Sequence, residues 1–305
     1  MMVRIILMCS TVLAMLSLSC NNGQKNQSQF LLPDADTFPL AEAEKLSAET
    51  LDDIVRNISS PVEIAALLQK MNVPFSADYL ASTRDVDRLS SNFDKALKLG
   101  IYGADLGYLN MYERTGNSVE VVQAVKKLAD GIMVGQYFDF ETIKRLSVSK
   151  SNLDSLLYLS IQSFNQIDEY LRSNQRGHLS ALMIAGAWIE AQYFATQVVK
   201  DYPDELLINR IGEQKTILND ILMLLAPFCK MSSEYSALCA DMERLREKYR
   251  EVTITYTPGE PETVEVDGRL TVIQNEESNV EITALQLSEI IELTAIIRNN
   301  VILSN

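Results

Sequence analysis

The sequence predicts a mainly α fold, a helical bundle or a set of stacked antiparallel helical hairpins, with a small β-hairpin or three-strand insertion near residues 252–273. Three observations carry this. From about residue 41 to 251, apolar residues recur at spacings of three and four almost without break. The connections between these segments are short, which makes consecutive helices antiparallel neighbours. At Glu251 the period changes to two, and a tight-turn dipeptide follows.

Taken in order, Ser60-Pro61-Val62-Glu63 reads as a helix start, with Ser as the cap, Pro at the first helical position and Glu three residues after the cap. Val73-Pro74 ends that helix. A long helix is expected from about Asp85 to Arg114, with Leu89, Phe93, Ala96, Gly100, Ala104, Gly107 and Met111 along one side. Thr115-Gly116-Asn117 reads as a turn, with Asn117 capping a helix that carries Val121, Val122, Val125, Leu128 and Ile132. A shorter helix is expected over 139–148. Leu153, Leu156, Leu157, Ile161, Phe164, Ile167 and Leu171 define an amphipathic helix that ends in the turn Asn174 to Gly177. Helices at about 178–200 and 203–226 follow, the second stopped by Pro227, and another covers about 232–250. Val252 to Thr257 alternates as a strand. Thr263–Val266 and Leu270–Ile273 flank Asp267-Gly268 as a hairpin. A last helix, capped near Thr283, carries Leu285, Ile290, Leu293, Ile296 and Ile297.

The N-terminus reads as an address. Arg4 precedes the short apolar run Ile5–Leu18, and Ser17-Leu18-Ser19-Cys20 resembles a bacterial lipobox. Residues 1–19 are then a lipoprotein signal peptide, and Cys20 is acylated and becomes the new N-terminus. Residues 20–40 form the lipidated Cys and a flexible tether, beginning with the polar run Asn21–Gln29, and 41–305 a single helical body. The partner this implies is the lipid bilayer, reached through Cys20. No later stretch is long and apolar enough to span a membrane. The tether lacks an acidic run after Cys20, which favours the periplasmic face of the outer membrane.

Composition narrows the function classes. With 47% hydrophobic and 22% charged residues the chain is globular. A formal net charge of −14 argues against nucleic acid, whose phosphates must be neutralised by Lys and Arg. After Cys9 in the signal and Cys20, two cysteines remain, Cys229 and Cys239. In an oxidising envelope they either pair in a disulfide or stay as separate buried thiols.

Catalytic motifs are missing. His178 is the only histidine, which removes a His-rich metal site, and its place at a helix start suggests a solvated or capping role. No phosphate loop, dinucleotide fingerprint or nucleophile elbow is present, and no cofactor or metal is implied. Imelysin-type helical lipoproteins carry a G-x-H-x-x-E motif that Gly177-His178 does not fit. Two carboxylates stand out. Asp105 is the only charge in Leu99–Met111, and Glu190 the only charge in Leu179–Val199. One reading places both in a shared pocket with Tyr108, Tyr112, Trp188 and Tyr193, an aromatic-lined acidic site for a cationic or sugar-like ligand. The other pairs each acid with a base such as Arg114, Arg210 or Lys215, or lets it reach solvent. Gly100, Gly103 and Gly107 lie in one helix, where each costs about 1 kcal/mol relative to Ala. Close helix packing or room for a ligand would compensate. Gly100–Glu113 and Ala181–Phe194 also resemble each other weakly, too thinly for a repeat family.

The Cys20 lipobox, GIYGADLGYLNMYE (100–113), GAWIEAQYFA (186–195) and RIGEQK (210–215) together resemble a family of uncharacterised helical lipoproteins from Bacteroidota-type bacteria. The resemblance covers most of the mature chain and implies a helical, lipid-anchored envelope protein, with no activity attached. The expected function is therefore a ligand-binding or protein-interaction module of the cell envelope, whose partner is a small ligand or another envelope protein. The alternatives are a carboxylate-dependent hydrolase using Asp105 and Glu190, and a purely structural scaffold.

Overall fold

Two glycine-bearing helices meet at the centre of the protein, α2 (Asn92–Met111) and α5 (Gly177–Asp201). The computed structural model describes residues 61–142, 153–259, 262–266, 269–273 and 276–303. The signal, Cys20, the tether, the Ser60 cap, most of the 139–148 helix and the Asp267-Gly268 turn lie outside the described residues. A Cβ on Gly100 would stand 2.0 Å from the carbonyl oxygen of Met183, and one on Gly186 would stand 2.0 Å from that of Leu97. Only glycine lets the two backbones approach this closely. Of the two explanations for Gly100, close packing is the one the structure shows. Contacts advance together along both helices, from Gly100 against Met183 and Ala187 to the stacked rings of Tyr108 and Phe194 at 4.7 Å. The helices therefore run in the same direction.

Each of them opens a helical hairpin. From α2 the chain turns through Glu113, at φ 53°, into α3 (Thr115–Gly131), which folds back so that Gly131 meets the Lys95 side chain. From α5 it passes into α6 (Glu205–Leu225), capped by Asp204 accepting from the N–H groups of Leu206 and Leu207. The mainly α fold is thus a pair of antiparallel hairpins stacked through their first helices, and the stacking contact itself is parallel. The two weakly similar Gly/Ala segments of the sequence are the two sides of this contact. Around it pack α1 (Pro61–Lys70) across α2 and α5, α4 (Leu153–Ser173) against α5, α7 (Ser233–Tyr249) against α6, and α8 (Ala284–Leu303) against α5 and α7. The buried apolar side chains form one continuous core from Ile64 to Val301.

Several boundaries differ from expectation. The α2 helix starts at Asn92, not Asp85. Val86–Arg88 forms a single 3₁₀ turn, Leu89 is extended, and the Ser91 hydroxyl caps the helix by accepting from the Asp94 N–H. The turn expected at Thr115–Asn117 lies earlier, at Tyr112–Arg114, and Thr115 already begins α3. The first helix ends at Lys70, ahead of Val73-Pro74, with Asn72 left-handed at φ 57°. The sulfurs of Cys229 and Cys239 are joined in a disulfide, with Cα atoms 5.8 Å apart.

Among the described residues the β insertion has four strands. β1 (Thr253–Pro258) pairs antiparallel with β4 (Glu276–Glu281), and β2 (Glu262–Val266) pairs antiparallel with β3 (Arg269–Ile273) between them. Expectation stopped at 273 because Glu-Glu-Ser-Asn-Val-Glu has one apolar residue and poor strand propensity. Pairing with β1 makes it a strand. The β1–β4 ladder sits on α6 at Gly212, where a Cβ would stand 2.3 Å from Cγ1 of Val280. Beside it, the Ser278 hydroxyl bonds to Glu213, and Lys215 Nζ donates to the carbonyls of Arg250 and Val252 at 2.9 and 3.1 Å.

Gly100→Ala and Gly186→Ala are each expected to destabilise the protein by about 2–3 kcal/mol, because the obstructing atoms are backbone and cannot turn aside. Gly103→Ala faces the ring edge of Phe164 at 3.3 Å, and gains helix propensity, so its change stays within about 1 kcal/mol. Urea unfolding of the three variants measures the difference.

Candidate functional site

The α2–α5 contact puts the two lone carboxylates of the sequence together. Asp105 lies five residues after Gly100 and Glu190 four after Gly186, and both side chains are fully buried. They are hydrogen-bonded to each other. Neither pairs with the bases named as candidates. Arg114 lies over the Phe75 ring, Arg210 pairs with Glu213, and Lys215 holds the base of the ribbon. The cation is Arg298, from α8. Its Nε donates to Glu190 Oε2 at 2.9 Å and its Nη2 to Oε1 at 2.7 Å, a two-pronged pair. The guanidinium carbon lies 4.4 Å from the ring centre of Tyr193, and Nη2 also donates to the Tyr79 carbonyl at 3.0 Å.

A strap of backbone, Ser76–Ser82, is stitched over this cluster by four polar contacts. The Ser76 N–H donates to the Tyr108 hydroxyl, and the Tyr79 carbonyl accepts from Arg298. The Ala81 N–H donates to Asp105 Oδ2 at 3.2 Å, and the Ser82 carbonyl accepts from the Tyr102 hydroxyl at 2.8 Å. The strap includes one 3₁₀ turn, Ala77–Tyr79, and its backbone groups are satisfied by side chains of α2 and α8. A second base reinforces α8. Lys98 is buried, and its Nζ donates to the Ile302 carbonyl in the last turn of that helix at 3.2 Å.

Electrostatics assign the protons. Burial pushes the Asp105 carboxyl well up, and the negative charge of Glu190 pushes it further. Burial raises Glu190 too, but the hydrogen bonds and charge of Arg298 oppose that. One guanidinium balances one carboxylate. Asp105 is therefore the neutral acid and Glu190 the anion. As the neutral acid, Asp105 is the donor in its hydrogen bond with Glu190.

The aromatic residues expected around the acids divide. Tyr108 and Tyr112 lie tilted to one another with ring centres 4.9 Å apart and Phe75 against both, and Tyr193 lies under Arg298. Trp188 is elsewhere: its Nε1 donates to Gln214 Oε1 on α6 at 2.8 Å. Two residues along a helix is a rotation of about 200°, so Trp188 and Glu190 cannot share a face. His178, half-buried, packs edge-on to Phe228 and Tyr235, and burial lowers its pKa. Among the described residues, no group of three or more His, Cys, Asp or Glu could hold a metal ion.

Arg298 and Lys98 were missed from sequence, although the signal that picked out the acids was available for the arginine. It is the only charge after Glu292. Both carboxylates are at zero exposure, and one is spent on an ion pair. The cluster's chemistry is that of a clasp that fastens α8 and the strap onto the central helix pair. No protein-family model matches the chain, and no curated protein or solved structure matches it.

Arg298→Ala leaves a buried carboxylate without its cation and is expected to cost about 3–5 kcal/mol, as is Glu190→Gln, which strands the guanidinium. Asp105→Asn keeps a donor toward Glu190 and stays within about 1 kcal/mol of wild type at neutral pH. Because the folded-state pKa of Asp105 is raised, its contribution is full below the ordinary aspartate value and is lost as pH rises through the folded value. Stability measured from pH 4 upward should therefore fall less steeply in Asp105→Asn than in wild type.

Proposed function

We propose that this is a lipid-anchored helical module of the cell envelope that works by binding another protein, and that it performs no chemistry of its own. The observation that carries the reading is the closure of Asp105 and Glu190 under Arg298 and the Ser76–Ser82 strap. Acid–base work on a saccharide or peptide needs two carboxylates flanking an open cleft that admits substrate and water. Here the only carboxylate pair the sequence singled out is used to hold helices together. Among the described residues, no helix is long and apolar enough to cross a membrane. The proposed attachment is through the acyl chains of Cys20, and the net charge of −14 holds the body away from anionic headgroups. The resemblance to helical envelope lipoproteins supports the same address, and the lack of an acidic run directly after Cys20 supports the periplasmic face of the outer membrane.

Metabolic labelling with an alkyne palmitate analogue tests the anchor. Labelling of the full chain, its loss in Cys20→Ala, and passage of that variant from the membrane to the soluble fraction are expected. An unlabelled wild-type protein, or one that stays in membranes without Cys20, overturns the anchor. Hydrolysis of envelope glycans or peptides by the purified protein, lost in Glu190→Gln variants that remain folded, would overturn the non-enzymatic reading.

A further inference from the structure

We propose that the outer edge of β1 is a strand-addition site for a basic, extended segment of a partner protein. The inference rests on the interaction-module reading above and names the surface and chemistry of the partner. β1 has one partner strand among the described residues, β4, and β4 in turn lies on α6. In an antiparallel pair, alternate N–H and C=O groups of each strand point away from its neighbour. Those of β1 face outward from the ladder with no strand beside them among the described residues.

Natural edge strands are usually blunted by Lys, by inward charge, by bulges or by Pro within the strand. β1 has none of these before its last residue. Thr253-Ile254-Thr255-Tyr256-Thr257 is uncharged and is composed of strand-favouring residues, and Pro258 stands only at the end. Cross-strand partners share a face, so Ile254, opposite Val280, lies with it toward α6, while Thr253 and Thr255 lie with Glu281 and Asn279 on the other face, all four exposed. The ladder is also held firmly. Val280 seats on Gly212, Ser278 on Glu213, and Lys215 grips both Arg250 and Val252. A rigid, unblunted edge presents its hydrogen bonds with little ordering left to do.

Charge decides the occupant. Between Glu251 and Glu281 the chain has eight Asp and Glu residues and a single basic residue, Arg269. A second copy of the same ribbon would bring like charge against like charge, which disfavours self-pairing. An extended segment that alternates Lys or Arg with apolar or Thr residues would match both the backbone edge and the acidic composition of this segment.

The test is titration of the full chain in detergent micelles with a fluorescent peptide in which Lys alternates with Val and Thr, alongside the same peptide N-methylated throughout. Hydrogen exchange is followed at β1. The expected result is saturable binding by the first peptide only, with new protection confined to Thr253–Thr257. Binding should weaken about tenfold in Glu276→Gln/Glu277→Gln, a double variant that leaves the Glu190–Arg298 clasp untouched. Equal binding by the N-methylated peptide, protection spread away from β1, no binding, or protection of β1 that appears without peptide through self-association would each overturn it. The titration does not depend on acylation, so failure of the palmitate experiment and failure of strand addition are read separately.

Discussion

The structure depends on one close approach, the seating of Gly100 on the backbone of α5 and of Gly186 on the backbone of α2. Where the two parallel helices come nearest, backbone faces backbone and there is no room for a side chain, which is why Gly100 and Gly186 stand there. The same proximity carries Asp105 against Glu190 one turn further on. Two carboxyl groups in a dry interface cannot both ionise, so the fold must supply a proton, a cation, or both. It supplies both: the proton stays on Asp105, and Arg298 arrives from the far end of the chain. The position of the last helix is thus a consequence of the first helix contact.

A buried charge pair of this kind adds little net stability over an apolar replacement, because desolvation offsets most of the attraction. What it fixes is arrangement. Glu190 accepts Arg298 in two-pronged geometry, and the same guanidinium stacks on Tyr193 and holds the Tyr79 carbonyl. A one-turn slip of α8 would strand the arginine and leave the two acids without a counter-charge. The terminal helix therefore has one register that satisfies the core, and Lys98 at its last turn agrees with that register.

Much of this was legible along the chain, and the limits are physical. Helical periodicity named the fold class because each helix buries one face on a common core. A lone acid in an apolar window signalled burial for Asp105 and Glu190, and burial is what they show. Nothing along the chain points from Glu190 to its partner, because Arg298 lies 108 residues away and meets it only through the packing of the last helix. Trp188 was placed with the acids by proximity in sequence, when the helical rotation between positions 188 and 190 separates them. Strand β4 was illegible because nothing in Glu276–Glu281 favours extension locally. Its strand character comes from β1, whose paired residues lie 18 to 28 positions earlier. The part that the RIGEQK segment plays shows only in the fold. Gly212, Glu213 and Lys215 seat the ribbon, and Gln214 receives Trp188.

The clasp and the ribbon are joined through α5. Two residues after Glu190, the Gln192 amide donates to the hydroxyl of Tyr249 at 2.5 Å, and Tyr249 ends the helix that leads into β1. On the other side, β4 passes into α8 through a capping box in which Thr283 Oγ1 accepts from the Gln286 N–H and Gln286 Oε1 accepts from the Thr283 N–H. Arg298 then ties α8 back to Glu190. Both ends of the β insertion are therefore fastened to neighbouring residues of one buried helix. A hairpin arm alone would be marginally stable in water, and a loosely attached one would lose its edge to fraying. With both roots on α5 and its flank on α6, the β1–β4 ladder extends the rigid core outward. The polar cluster that first suggests an active site holds still the ladder whose outer edge is the proposed docking site.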